Sequence, residues 1–415
     1  MSDFLYYGLD LSWDITQISR YNSRTGEPES VCFSGEQQEL LMPAVLCRRA
    51  ADGGWVSGQE ALRLAERGGG ELVSGLLRKM LDGGQVQLAG GTWSGEALME
   101  QYLRRLLGIC RQCSGTSEIA RMAVTLPAEA EELRKPVGDS LVRLGIPQDR
   151  LKFLSHTECF MYYCINMPPE LWQNDAALFD CDEEHFRYER LSCSKRKQPL
   201  TVLARSEDFT EEYSVHREKE EPGERRAYWF YQLAMRQLHN QPVTALYVTG
   251  SGFADGWADE TLRKLCEGRR VFFGQNLYTK GACYAAKMAA EGTDAGCVLL
   301  SGDMIRESIY VKLYHDAKER YVELAHAGED YRSAGCQCRI ILDATQEIEF
   351  LVSNVLKKEP VHEVMILENL MKRENKTVML ELSLSYADRE TPVVQIRDLG
   401  FGREAGTRRI WEQIL

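Results

Sequence analysis

No run of about 18 apolar residues occurs anywhere in the 415-residue chain, so no membrane-spanning helix is expected. The N-terminus, Met1-Ser2-Asp3-Phe4-Leu5, lacks a basic region followed by an apolar run, so no leader is expected either, and the expected location is cytoplasmic. Positive charge is in deficit: 50 Lys and Arg face 62 Asp and Glu, a net charge of −12. Duplex nucleic acid and anionic membrane are therefore poor partners, because both require a positive field to dock. The seven histidines form no close pair at metal-ligand spacing. Also missing are a strand followed by G-x-G-x-x-G, a G-x-S-x-G elbow, an H-E-x-x-H helix and a P-loop, which removes the usual grounds for an oxidoreductase or hydrolase.

Cysteine is plentiful, but disulfide spacing is not. Thirteen cysteines run from Cys32 to Cys338, an odd number without framework spacing, as in a chain kept reduced. Cys110-Arg-Gln-Cys113 is a single CxxC with no second pair, and Cys336-Gln-Cys338 falls on one face of an expected strand; both read as structural.

The chain is expected to open as a β-meander: Phe4 to Leu11, Ile15 to Tyr21, Ala44 to Arg48 and Trp55 to Ser57. Helices and strands then alternate: Ala97 to Cys110 (helix), Ala120 to Leu126 (strand), Glu129 to Leu144 (helix), Phe153 to Ser155 (strand), Glu158 to Asn166 (helix) and Ala176 to Asp180 (strand). Residues 194 to 226, with Lys195-Arg196-Lys197 and many acids, read as a solvated hairpin or loop. From Ser301 only strands are expected, seven in all, with Leu380, Leu382, Leu384 and Tyr386 alternating with polar neighbours. That pattern indicates a β-sandwich, closed by a short helix Thr407 to Leu415, with the domain boundary near residue 300.

Several segments carry a resemblance. Tyr7-Gly8-Leu9-Asp10-Leu11, Leu41 to Val45 with Trp55 to Ala61, and Val124-Thr125-Leu126-Pro127-Ala128 line up in order with the ATPase domain of DnaK-type chaperones, in the actin/hexokinase/DnaK superfamily. Tyr247-Val248-Thr249-Gly250-Ser251-Gly252-Phe253 resembles that family's adenosine motif, and Gly274 to Asn276 with Lys280 to Ala286 resembles its last connecting helix. Leu380 to Tyr386 and Val394 to Asp398, carrying on to Gly400 and Gly402, are similar to the last strands of its substrate-binding sandwich. The resemblance implies a two-lobed α/β actin-like ATPase fold with ribonuclease-H-like lobes over residues 1–300. A β-sandwich over 301–415, without the long helical lid, would follow.

The departures bear on activity. Where the family's first phosphate turn has small residues, this chain has Ser12-Trp13-Asp14, adding bulk and negative charge. Where the second loop has consecutive glycines, it reads Asp180-Cys181-Asp182-Glu183-Glu184-His185, whose acids repel a polyphosphate. A bound Mg²⁺ would offset part of this, the metal-binding alternative for Asp182, Glu183 and Glu184. Arg78 or Lys79 stands near the family's phosphate-contacting Lys, and Ser155-His156-Thr157-Glu158 replaces its Glu-Pro-Thr segment. His156 reads as a packed or exposed histidine rather than a base. The 70-residue interval from Asp180 to Gly250 is too short for the full adenine-clamping subdomain, so a reduced one is expected.

The expected function is therefore that of a catalytically silent pseudo-ATPase, a protein-binding scaffold or chaperone-associated regulator. No catalytic or metal residue is assigned. Asp10, Asp180, Gly250, Gly252 and Gly281 form a remnant nucleotide cleft with no resident cofactor, and the expected partner is a protein or extended peptide. The alternative is a divergent chaperone-like ATPase that holds ATP or ADP weakly with Mg²⁺, with Asp10 and Asp180 positioning the ion.

Overall fold

The computed structural model describes residues 5–33, 39–114, 118–172, 174–182, 185–194, 200–216, 223–253, 255–292, 296–315, 318–343, 345–370, 378–401, 404–405 and 409–415. Met1 to Phe4, Glu183, Glu184, Lys195-Arg196-Lys197 and Gly402 lie outside these. The protein is mixed α/β and divides into two compact units, Met1–Leu191 with Ser206–Ala295, and Ser192–Arg205 with Gly296–Leu415. No helix among the described residues is long and apolar enough to cross a membrane.

The first unit holds two sheets of like connectivity. In the first, the order is Leu151–Leu154, Arg121–Thr125, Tyr6–Leu11, Ile15–Asn22, Glu27–Ser30. Tyr6–Leu11 turns back antiparallel into Ile15–Asn22 and takes Arg121–Thr125 as a parallel neighbour on its other flank. All six of its residues are buried, which is why it reads as a continuous apolar run rather than an alternating one. The second sheet repeats the scheme. Asp175–Cys181 turns back into Phe186–Ser194 and takes Val243–Thr249, then Arg270–Phe273, as parallel neighbours.

In each sheet the outermost parallel strand leads into a helix: His156–Ile165 after the first, Leu277–Glu291 after the second. The two helices pack on each other, and Leu277–Glu291 also crosses Tyr6–Leu11. Glycines make both crossings close. A Cβ on Gly281 would lie 1.8 Å from the Cys159 carbonyl oxygen, and one on Gly8 would lie 2.0 Å from that of Thr279, so only hydrogen fits at either place. The helix His156–Ile165 starts at a capping box. The Ser155 hydroxyl accepts from the Glu158 N–H at 3.2 Å, and the Glu158 carboxylate accepts from the Ser155 N–H at 2.7 Å.

The expected single helix Glu129 to Leu144 is two pieces, a tight turn Ala128–Leu133 and a helix Arg134–Arg143. Pro136 explains the break, because it is tolerated only in a helix's first turn. The polar stretch after residue 194 contains the strand Leu200–Asp208 and the helix Thr210–His216.

In the second unit, Leu200 to Leu203 pair in parallel with Cys297–Leu300. Beyond them stand two antiparallel sheets. One has the order Lys318–Ala325, Glu307–His315, Glu347–Asn354, Val361–Ile366; the other runs Gln337–Leu342, Val378–Asp388, Thr391–Phe401. Ile309, Val311, Phe350, Leu380, Leu382 and Ile396, drawn from both sheets, share one core. The expected C-terminal helix is not formed. Ile410–Ile414 is a strand, antiparallel to Val393 to Arg397. Pairing buries Trp411 alone, and its indole N–H donates to the Glu368 carbonyl at 3.0 Å, so period-2 burial outweighs local helix preference.

Candidate functional site

The like connectivity of the two sheets places two aspartates in matching positions. Asp10 is the penultimate residue of Tyr6–Leu11 and lies in register with Thr125 on the parallel neighbour; Asp180 is the penultimate residue of Asp175–Cys181 and lies in register with Thr249. Both open onto one cavity of about 240 Å³, with Ser12, Trp13, Asp14, Gln17, His156, Asp182, Gly250 and Tyr278 among its lining.

Each aspartate is engaged by a ring. His156 Nε2 is 3.3 Å from Asp10 Oδ1, which also accepts from the Ser12 hydroxyl at 3.3 Å. The Tyr278 hydroxyl donates to Asp180 Oδ2 at 2.7 Å. The two rings lie face to face, centroids 4.0 Å apart and planes 4° apart. Burial pulls the His156 pKa down, but the Asp10 charge and hydrogen bond outweigh it, so the net shift is upward. Burial raises the Asp180 carboxyl against the opposing effects of His156 and Tyr278, and burial with the nearby Asp180 keeps the Tyr278 phenol protonated.

Behind this pair lies a buried carboxylate, Glu189. One oxygen accepts from the Thr157 hydroxyl at 2.8 Å, and the other is buried without a hydrogen-bond partner. Burial pushes its pKa up to about 7. Beside the cavity, a small recess holds His185, Arg187 and Glu129 together with Asp180 and Asp182. Arg187 bonds Glu129, whose pKa is lowered: burial acts to raise it, but backbone hydrogen bonding and the Arg187 and His185 charges prevail. The His185 N–H donates to Asp182 Oδ1 at 2.6 Å.

The remnant-cleft residues separate into two groups. Asp10, Asp180 and Gly250 line the cavity. Gly250 has φ +103°, and a Cβ there would meet the Cys181 carbonyl oxygen at 2.0 Å, so the turn beside Asp180 is possible only for glycine. Gly252 packs beside Cys181 and Asp182, its carbonyl accepting from Trp257 Nε1 at 2.7 Å. Gly281 serves the helix crossing at Cys159. Of the phosphate-loop substitutes, Ser12, Trp13 and Asp14 all line the cavity, while the Arg78 guanidinium stands 5.3 Å from the Trp13 ring centre. Glu183 and Glu184, of the metal-binding alternative, lie outside the described residues.

Sequence reasoning missed Tyr278, Gln17 and Glu189. Glu189 carried no clear signal, because Arg187 and Arg190 make the run Phe186 to Leu191 read as a polar, half-exposed strand. Tyr278 carried none, because its role depends on Asp180 being opposite it.

The chain belongs to the family of unknown function DUF5716: the model of that family's C-terminal region matches residues 27–302. Residues 304–415 match a second family, the domain of unknown function DUF8552. The first match begins after Asp10 and the Ser12-Trp13-Asp14 turn. No curated protein matches the chain.

Proposed function

We propose that this chain is a DnaK-like pseudo-ATPase of actin-type fold that acts in the cytoplasm as a protein-binding scaffold or chaperone-associated regulator. The observation that carries this reading is the His156–Tyr278 stack. The two carboxylates that would position Mg²⁺ in an active relative are each hydrogen-bonded to one of these rings, which stack on each other at the cavity wall. Trp13 and Asp14 add bulk and charge where phosphate would enter. The repeated sheet connectivity, with its two matching aspartates and its pair of packed helices, supports the actin-type fold. The odd count of thirteen cysteines, without framework spacing, agrees with a reducing compartment.

A protein or extended-peptide partner is supported by the strand Val361–Ile366, the last in the described order of its sheet, which exposes Val361, Val364 and Ile366. The alternative, weak Mg-ATP or Mg-ADP binding, draws on Gly250, whose backbone geometry keeps a glycine turn at the cavity edge.

Thermal unfolding with and without millimolar Mg-ATP or Mg-ADP, beside a DnaK-type chaperone as control, separates the two. A ligand that binds only the native state must raise Tm. The expected result is no shift; a reproducible rise of several degrees overturns the pseudo-ATPase reading.

A further inference from the structure

We propose that the cavity between Asp10 and Asp180 binds an organic cation, an alkylammonium or guanidinium group. This rests on the pseudo-ATPase reading of the same cleft, since a polyphosphate would occupy the same space.

The sign of the lining carries the first part of the argument. Asp10, Asp14, Asp180 and Asp182 face the cavity, and among the described residues His156 is the one basic side chain that lines it, with no Lys or Arg. Of the neighbouring cations, Arg187 bonds Glu129 in the adjoining recess and Arg78 lies over the Trp13 ring, and neither lines the cavity itself. Such a pocket opposes an anion and favours a cation.

An independent observation points to a ligand with N–H donors. The Gln17 side chain is 6% exposed, lines the cavity, and has no hydrogen-bond partner among the described residues. Thr249, 2% exposed, lines it as well, and its hydroxyl has no such partner either. An amide oxygen and a hydroxyl that face the cavity without a partner among the described residues offer acceptors to a bound N–H donor. Gln17 and Asp14 come from the hairpin of the first sheet and Thr249, Asp180 and Asp182 from the second, so a short cation with donors at its head meets acceptors from both sheets.

Two features select the kind of cation. Among the described residues no group of three or more His, Cys, Asp or Glu is placed to hold a metal ion, so the acids are spread too widely for inner-sphere coordination. Trp13 supplies an aromatic face, which already attracts a guanidinium, that of Arg78, at 5.3 Å. At about 240 Å³ the cavity is also smaller than the roughly 300–1,000 Å³ of drug-sized sites, which suits a compact amine.

The test is calorimetric titration and thermal unfolding of the full chain with agmatine and cadaverine, with a short Arg- and Lys-containing peptide, with MgCl₂ alone and with Mg-ATP. Agmatine or cadaverine is expected to bind and raise Tm, more weakly as NaCl is added. Tighter binding of the peptide would assign the cation to a partner's side chain, and tighter binding of the free amine to a small molecule; either supports the inference. Asp14→Asn, at an exposed side chain that leaves folding intact, is expected to weaken amine binding about three- to fivefold. Gln17→Leu should weaken it as well without lowering the Tm of the free protein. No response to amine, peptide or Mg-ATP overturns the cation site and leaves the pseudo-ATPase reading standing. A response to MgCl₂ alone, or amine binding unchanged in both variants, also overturns the cation site, whereas a response to Mg-ATP overturns the pseudo-ATPase reading.

Discussion

His156 and Tyr278 stack 4.0 Å apart, and each ring holds one of the two matched aspartates, His156 holding Asp10 and Tyr278 holding Asp180. His156 starts one of the packed helices and Tyr278 lies in the first turn of the other, so the stack ties together the two sheets that those helices follow.

Replacing Tyr278 with Phe keeps the stack and removes the hydroxyl that donates to Asp180. The expected cost is about 1–3 kcal/mol, because a buried acceptor loses its partner. Urea denaturation of the variant and parent checks it, and an unchanged midpoint would show that Asp180 recruits water without loss.

Glu189 gives a pH signature. Its folded pKa, about 7, lies above the usual 4.5, so the folded state favours the proton and the associated stability is full below about pH 4.5 and lost as pH rises through about 7. Glu189→Gln is a permanent neutral mimic that keeps an acceptor for Thr157. Relative to the parent it should gain about 3 kcal/mol of stability between pH 4.5 and 8. Denaturation series at several pH values test this, and a pH-independent difference would sink it. His156, also raised, adds a loss in the same direction above about pH 6.5, in both proteins.

Gly281→Ala should be among the most disruptive single methyl additions in the chain. The new Cβ would stand 1.8 Å from the Cys159 carbonyl oxygen, backbone against backbone, so the two helices must separate. A loss of about 3 kcal/mol or more is expected. A matched control, Gly108→Ala, meets nothing within 4 Å and should leave Tm unchanged or slightly higher, as expected for a helical glycine.

A fragment of residues 303–415 should fold alone. Its core, from Ile305 to Trp411, draws on no residue before 303. Trp411, the fragment's sole tryptophan, is buried and reports the transition. One cooperative urea transition by fluorescence and circular dichroism is expected; non-coincident transitions would show that Ser192–Arg205 is needed.

What the sequence alone determined is the part fixed by local periodicity and by backbone sterics. The alternation of Leu380, Leu382 and Leu384 places one face of Val378–Asp388 in the core, and the apolar run before Asp10 marks a strand buried on both faces. The glycines at 250 and 281 were legible because only a missing Cβ permits such approaches. The bulk of Trp13 and the charge of Asp14 and Asp182 were legible in the sequence, and all three residues line the cavity, while Glu183 and Glu184 lie outside the described residues. Tertiary structure decided the rest. Tyr278 acquires its role from Asp180, and Gln17 lines the cavity only because the folded sheets bring it there. Ile410–Ile414 is a strand because Thr391–Phe401 offers it an edge and a pocket for Trp411. Each of these depends on a partner distant in the chain, and a local pattern carries no information about a surface that exists only after folding.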